Sequence, residues 1–399
     1  MPSSTDADLL ARRQAALDWI LRAQRATPNG GASAFYHTSD GYCPTSYPEV
    51  TGYIVPVMWD MHAETGDDVY REAATEMIDW VTSVQTPSGA ATSMDFETLY
   101  VFDTGMDILG WVRAHRETGE ARWIEAAQRA GNWLVEAQCP DGHWTTTPDS
   151  GQTHTYHTRV AWALLQLHDA TGAECYKVAA VRNLDWAVAR RQPNDWLTIP
   201  PSRESTHFLA YAARGLLEAG AMLDSDAYIS AAQGMADSVL GSLSDDGYLP
   251  GAFDVEWEPA EPSCCLTGSL QFAIIWSTLS RITADRAYAD AARRTVEYVS
   301  RYQDIEHADN GVRGGVAGSE PIGGAYAPDC YLAWAAKFYV DAVNALLGES
   351  EEEKAHHGVS SAAAARSASA SAASMAVASS SSSGTASITG ASLNGVACW

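Results

Sequence analysis

VFDTGMDILGWVRAHRETG (residues 101–119), EARWIEAAQRAGNWLVEAQCPDGHW (120–144) and HTYHTRVAWALLQLHDATG (154–172) decide the fold. They read as a helix, a returning helix, and the first kind of helix again, with a glycine at each tight turn. Gly66, Gly119 and Gly172 stand 53 residues apart, and so do Trp80, Trp133 and Trp186. A fixed period of this size, filled by two helical segments, is the mark of a repeated helical hairpin.

The repeat extends in both directions. Ala73-Ala74 recurs as Ala126-Ala127, Ala179-Ala180, Ala231-Ala232 and Ala291-Ala292, and Gln85, Gln138 and Gln303 follow their pairs at one common distance. Ala16, Trp19 and Gln24 bring the N-terminal segment into the same series. These segments are apolar on one side, as an outer layer is. The alternate segments start near Thr51, Thr104, Thr158, His207, Thr267 and Asp329 and are apolar around most of their circumference (SLQFAIIWSTL, for example), as helices buried on several sides are. Six of each kind predict an all-α chain, an (α/α)6 toroid over residues 1–347 whose terminal helices seal the ring. The competing arrangement is an open solenoid of helical pairs. After Leu347 come ESEEEKAHH and a long Ser/Ala-rich run to Trp399, without periodic apolar residues, so 348–399 is expected to be a disordered tail.

Composition narrows the partners. Lys+Arg number 25 against 50 Asp+Glu, a net charge of −25, which disfavours nucleic acid and anionic membrane. No run reaches the roughly 18 apolar residues of a membrane span. MPSSTDADLLARRQ has no apolar signal core, and seven scattered Cys without a CxxC fit a reducing compartment, so a cytoplasmic protein is expected. The adjacent Cys264-Cys265 reads as small buried thiols.

In a ring of hairpins the N-termini of the inner helices converge on one mouth, where backbone N–H groups and helix dipoles favour anionic ligands. That mouth should hold Glu49, Asp103, the HTYHTR set of His154, Tyr156, His157 and Arg159, then His207 and Asp329. Loops should add Arg313 and Tyr326, with Trp144, Trp196 and Trp257 as stacking surfaces for sugar rings. Asp103 and Glu49 sit where a carboxylate can also simply cap a helix. The dipole there lowers a carboxylate's pKa and favours a base or anchor over an acid, unless burial or a second carboxylate opposes it. His and Tyr are competent proton carriers, and an Arg can hold a carboxylate bidentately. No HExxH or ordered ligand spacing marks a metal site, and no GxGxxG or phosphate loop marks a nucleotide site, so neither metal nor cofactor is expected.

Two resemblances add to this reading. RAGNWLVEAQCPDGHW (129–144) resembles one copy of the glutamine–tryptophan repeat of triterpene cyclases, whose DxDD acid is absent here; a terpenoid-cyclase-like enzyme is one alternative. EVTGY, FDTGM, HTYHTRVAWALL, THFLAYAARGLLEAG, GVRGG and PIGGAYAPDCYLAWAAKF, within Glu49 to Leu347, resemble a family of prokaryotic α/α-toroid proteins associated with surface-polysaccharide and glycoprotein-glycan biosynthesis. That family is similar in fold to six-hairpin glycosidases, including unsaturated glucuronyl hydrolases. FDTG is similar to the segment carrying one catalytic Asp of those hydrolases, which would fall on Asp103. The second would fall near Tyr156, where no carboxylate stands.

The resemblance therefore implies a carbohydrate-active enzyme acting on a uronic-acid-type sugar by hydrolysis, elimination or epimerisation. Asp103, His154, Tyr156 and His157 would be the acid/base set. Glu49, Arg159, His207, Arg313, Trp144, Tyr326 and Asp329 would bind the saccharide. A non-catalytic glycan-binding or scaffold protein is the other class.

Overall fold

The computed structural model describes residues 5–148, 150–197 and 202–348. The predicted tail at 348–399 therefore lies outside the described residues, Gly348 excepted. Twelve α-helices occur among the described residues. The outer ones are α1 (Asp6–Arg25), α3 (Asp68–Val84), α5 (Ala121–Ala137), α7 (Glu174–Val188), α9 (Asp226–Leu240) and α11 (Arg286–Ser300). The inner ones are α2 (Pro48–Thr65), α4 (Val101–Thr118), α6 (Thr158–Thr171), α8 (Thr206–Leu223), α10 (Leu266–Thr283) and α12, at 333–348. The inner helices start at or up to three residues before their expected positions, except α12, which starts four residues after Asp329.

Burial follows the two composition classes. On outer α3 one face is buried (Tyr70, Ala73, Ala74, Met77, Ile78, Trp80, Val81), whereas on inner α4 burial is continuous from Val101 to Val112. The inner helices approach closely through small residues: a Cβ on Gly110 of α4 would strike the Gly52 carbonyl of α2.

The repeated glutamine ties the outer layer together. Gln85 Nε2 donates to the Ala126 carbonyl of the next outer helix (3.0 Å), and Gln138 Nε2 does the same to Ala179 (2.8 Å). Gln303, the last in the series, donates to the Arg12 carbonyl of α1 (3.1 Å), so the same bond joins the last outer helix to the first. Two further contacts seal the seam. Phe35–His37 pairs antiparallel with Cys330–Leu332, Phe35 opposite Leu332, and Tyr53 of α2 stacks on Phe338 of α12 at 6.0 Å. Tyr53, Leu109, Trp162, Glu218, Ile274 and Lys337, one from each inner helix, line a single axial cavity. The ring is closed, and the open solenoid is excluded.

The two ends of the ring are built differently. Each inner helix from α2 to α10 ends on one left-handed residue and turns directly into its outer partner: Gly66, Gly119, Gly172, Asp224 and Ala284. The connections leading into inner helices are longer and carry every short strand of the described residues. Thr51 and Thr104, one repeat apart, anchor two of these loops. Each hydroxyl donates to the carbonyl four residues back and accepts a loop N–H, from Ala32 and Ala91 respectively.

Candidate active site

The first turns of α2, α4 and α8, with the 3-10 turn Thr155–His157 ahead of α6, deliver side chains to the loop-covered end. Neither Asp103 nor Glu49 caps its helix: the N-cap residues are Tyr100 and Tyr47, and neither makes a side-chain cap bond. The Tyr47 hydroxyl instead donates to Asp103 Oδ2 at 2.9 Å. Asp103 is 2% exposed, and burial pushes its carboxyl up to about 7 against the pull of the Tyr47 hydrogen bond. Burial opposes the helix dipole and reverses the expected direction. Glu49 is held well above the usual carboxylate range by burial and by the charges of Asp103 and Asp107. Asp107, buried and with Oδ1 unpartnered, is raised by burial and by Asp103. Asp107 was not anticipated, although its i+4 spacing puts it on the same helix face as Asp103.

A chain of rings continues from these carboxyls. His154 stacks on Tyr156 with centroids 4.5 Å apart and planes 13° apart. Tyr156 meets His157 and Phe102 edge-on, at 5.2 and 5.3 Å, and stacks on Phe208 at 5.0 Å. Tyr211 joins Phe102 (4.8 Å) to His207 (4.3 Å), and His207 lies 5.1 Å from Tyr326. The Tyr326 hydroxyl accepts from Trp334 Nε1 at 3.1 Å.

Burial sets the protonation states. His154, half-buried, is lowered by desolvation and is neutral at neutral pH, while burial raises the Tyr156 phenol and keeps it protonated. Burial takes His157 and His207 down to about 3. His207 Nδ1 faces Gln271 Nε2 at 2.7 Å; an amide nitrogen only donates, so the His207 proton sits on Nε2. His157 is fully buried, and the Trp144 backbone is the one neighbour that opposes its lowering.

Five expected residues stand elsewhere. Trp144 is fully buried and donates to the Leu134 carbonyl at 2.8 Å, so its ring is core and no sugar can stack on it. Trp196 is likewise buried, packed edge-on against Trp257. Arg313 bonds Asn310, and its own carbonyl accepts from Arg22 of outer α1, so it is engaged with the outer layer. Asp329 is an exposed turn residue with φ +60 in the loop before α12. Arg159 reaches the ring's interior but turns its guanidinium into the axial cavity, beside Lys337 and Arg214.

The mouth has other residues for those tasks. Phe208, 36% exposed, presents a ring beside Tyr156. Arg203 lines a cavity of about 240 Å³ with Ser205, Glu261, Ser263 and Tyr326, and pairs with Glu261 at 3.1 Å. A sequence signal for Phe208 was available, one position after His207 in STHF; Arg203 opens a three-residue strand too short to show periodicity.

The comparisons agree on architecture. The sequence model of the ulvan lyase N-terminal domain matches residues 107–267. No curated protein matches the chain. Among solved structures, an unsaturated glucuronyl hydrolase specific for heparin superposes with a TM-score of 0.71 at 15% identity, covering 87% of this chain and 99% of that one. Cellobiose 2-epimerase from Spirochaeta thermophila gives 0.70 at 13% identity, over 86% and 96%. A D-mannose isomerase gives 0.68 at 14% identity, over 88% and 100%. The fold is an (α/α)6 toroid. The match at 107–267 spans HTYHTR and His207 in this toroid but not Glu49, Asp103 or Tyr326. Among the described residues no helix is long and apolar enough to cross a membrane.

Proposed function

We propose that this toroid is a carbohydrate-active enzyme that acts on a uronic-acid-type sugar by β-elimination. The observation that carries the reading is the half-open His154–Tyr156 stack, in which burial leaves a neutral imidazole beside a protonated phenol. A neutral imidazole accepts the C5 proton. The C5–H electrons form the C4=C5 bond, the C4–O bond breaks, and the phenol protonates the departing oxygen. Removal of the C5 proton places charge on the adjacent carboxylate. Arg203 at the rim and the Nε2–H of His207 are suited to hold that group. The raised carboxyls of Glu49 and Asp107, kept protonated by burial, spare an anionic sugar from repulsion. Phe208 is suited to stack on the sugar. The match to an ulvan lyase domain and the sugar-converting neighbours support this class. A cytoplasmic place in glycan biosynthesis or processing belongs to the same proposal, resting on the sequence resemblance.

A specific observation favours hydrolysis as a second reading. Asp103, near 7 and hydrogen-bonded by Tyr47, is equipped as a general acid. The two readings differ in their pH profiles. Elimination by His154 and Tyr156 loses rate on the acid side, below the usual imidazole range, and holds through pH 8. Hydrolysis through Asp103 declines above about 7. Incubation with uronate oligosaccharides in deuterated water separates the outcomes: a conjugated C4=C5 product for elimination, new reducing ends without ultraviolet absorbance for hydrolysis, deuterium at C5 for epimerisation. Tyr156→Phe and His154→Ala should each lower kcat by about 10²–10⁴-fold. A loss below tenfold removes the residue from the acid/base role, and binding without turnover assigns the toroid to glycan recognition.

A further inference from the structure

The axial cavity at the tight-turn end, about 350 Å³, is lined by all six inner helices and shares no lining residue with the set proposed to act at the other mouth. Its deep layer holds Arg159, Arg214 and Lys337. Arg214 and Lys337 share Asp341, at 3.6 and 2.6 Å, and Arg214 also reaches Glu218 at 3.3 Å. Arg159 makes no direct ion pair among the described residues: its guanidinium lies over the rings of Tyr211, Phe338 and Trp162 at 4.8, 5.4 and 5.7 Å, and Asp341 and Glu49 act on it only through space. Its Nε points at the Met106 sulfur and its Nη1 has no partner, although the residue is 1% exposed.

Helix dipoles do not account for this cluster. Cations are favoured at helix C-termini, but Arg159 stands at the start of α6 and Lys337 in the first turns of α12, where the dipole opposes them. A buried guanidinium with no carboxylate in direct contact is costly even over aromatic faces, and in a chain of net charge −25 such a concentration of cations needs a reason. We infer that this cavity is a binding site for a small, multiply charged oxyanion, held by Arg159, Arg214 and Lys337. The guanidinium fork suits both phosphate and carboxylate, and the volume admits a ligand up to monosaccharide size.

The test uses the full chain, with inorganic phosphate and malonate as separate probes at constant ionic strength set by chloride. Calorimetric titration should show saturable binding of at least one probe, and the stronger of the two identifies the oxyanion class. Lys337→Gln and Arg214→Gln should each weaken that binding at least tenfold, while Arg203→Gln at the opposite mouth should leave it unchanged. Amine modification followed by mass spectrometry serves where a variant fails to fold. Lys337, which burial lowers to about 8, should react in the wild-type chain, and the probe should slow its modification at least tenfold without affecting Lys177 on outer α7. No saturation beyond chloride, no protection of Lys337, or loss of binding in Arg203→Gln alone would overturn the assignment.

Discussion

Asp103 occupies a position where its own helix favours ionisation, yet the groups around it favour the neutral acid. Desolvation by the closed ring is the stronger effect. A carboxyl raised from its ordinary value of 3.8 to about 7 contributes stability that is full below pH 4 and lost as pH rises through 7. The stability advantage of wild type over Asp103→Asn should therefore shrink between those limits, by up to about 1.4 kcal/mol per pH unit, in urea titrations. His207 has the opposite sign. With its folded pKa near 3, stability is present above about 6.5 and lost as pH falls, so His207→Gln should flatten the acid limb of the stability curve. At this scale the sequence was partly legible. HTYHTR marked a candidate site because four polar groups at one helix start are hard to bury without purpose, and its His154, Tyr156 and His157 do come together in one cluster of rings. Arg159 misled because its position was legible and its direction was not.

Each hairpin turns on a single residue, and three of the five are glycines at φ near +70. The 53-residue period was visible because only glycine enters the left-handed region without strain. Asp224 (φ +52) and Ala284 (φ +58) hold the same place in the fourth and fifth hairpins, which is why the glycine series stops at Gly172. A non-glycine residue there costs roughly 1 kcal/mol, so Ala284→Gly should raise the Tm and the urea midpoint by an amount equivalent to about 0.5–1 kcal/mol. The short strands were invisible beforehand. Segments of two or three residues have no periodicity to read, and their pairing is set by loops that the helices bring together.

The count of twelve helices implied a ring, but the seam that closes it could not be read. Phe35–His37 and Cys330–Leu332 meet only because the ring closes, and nothing in either stretch marks the other as its partner. The seam supplies a test of closure as a cooperative property. Gln303 spans it with bonds to the Arg12 and Gly314 carbonyls. Gln303→Ala should cost about 1–3 kcal/mol, as should Gln85→Ala within the ring, and both should leave a single urea transition of unchanged m-value. A broadened or two-step transition for Gln303→Ala alone would mean that the closing hairpin melts separately. The unequal ends of the ring carry an evolutionary consequence. Where one residue reverses the chain there is no slack to absorb an insertion, so that face offers little room for novelty. The opposite connections can lengthen, shorten or exchange without disturbing a helix. Variation in what such proteins accept should accumulate on that side alone, over a barrel that stays constant beneath it.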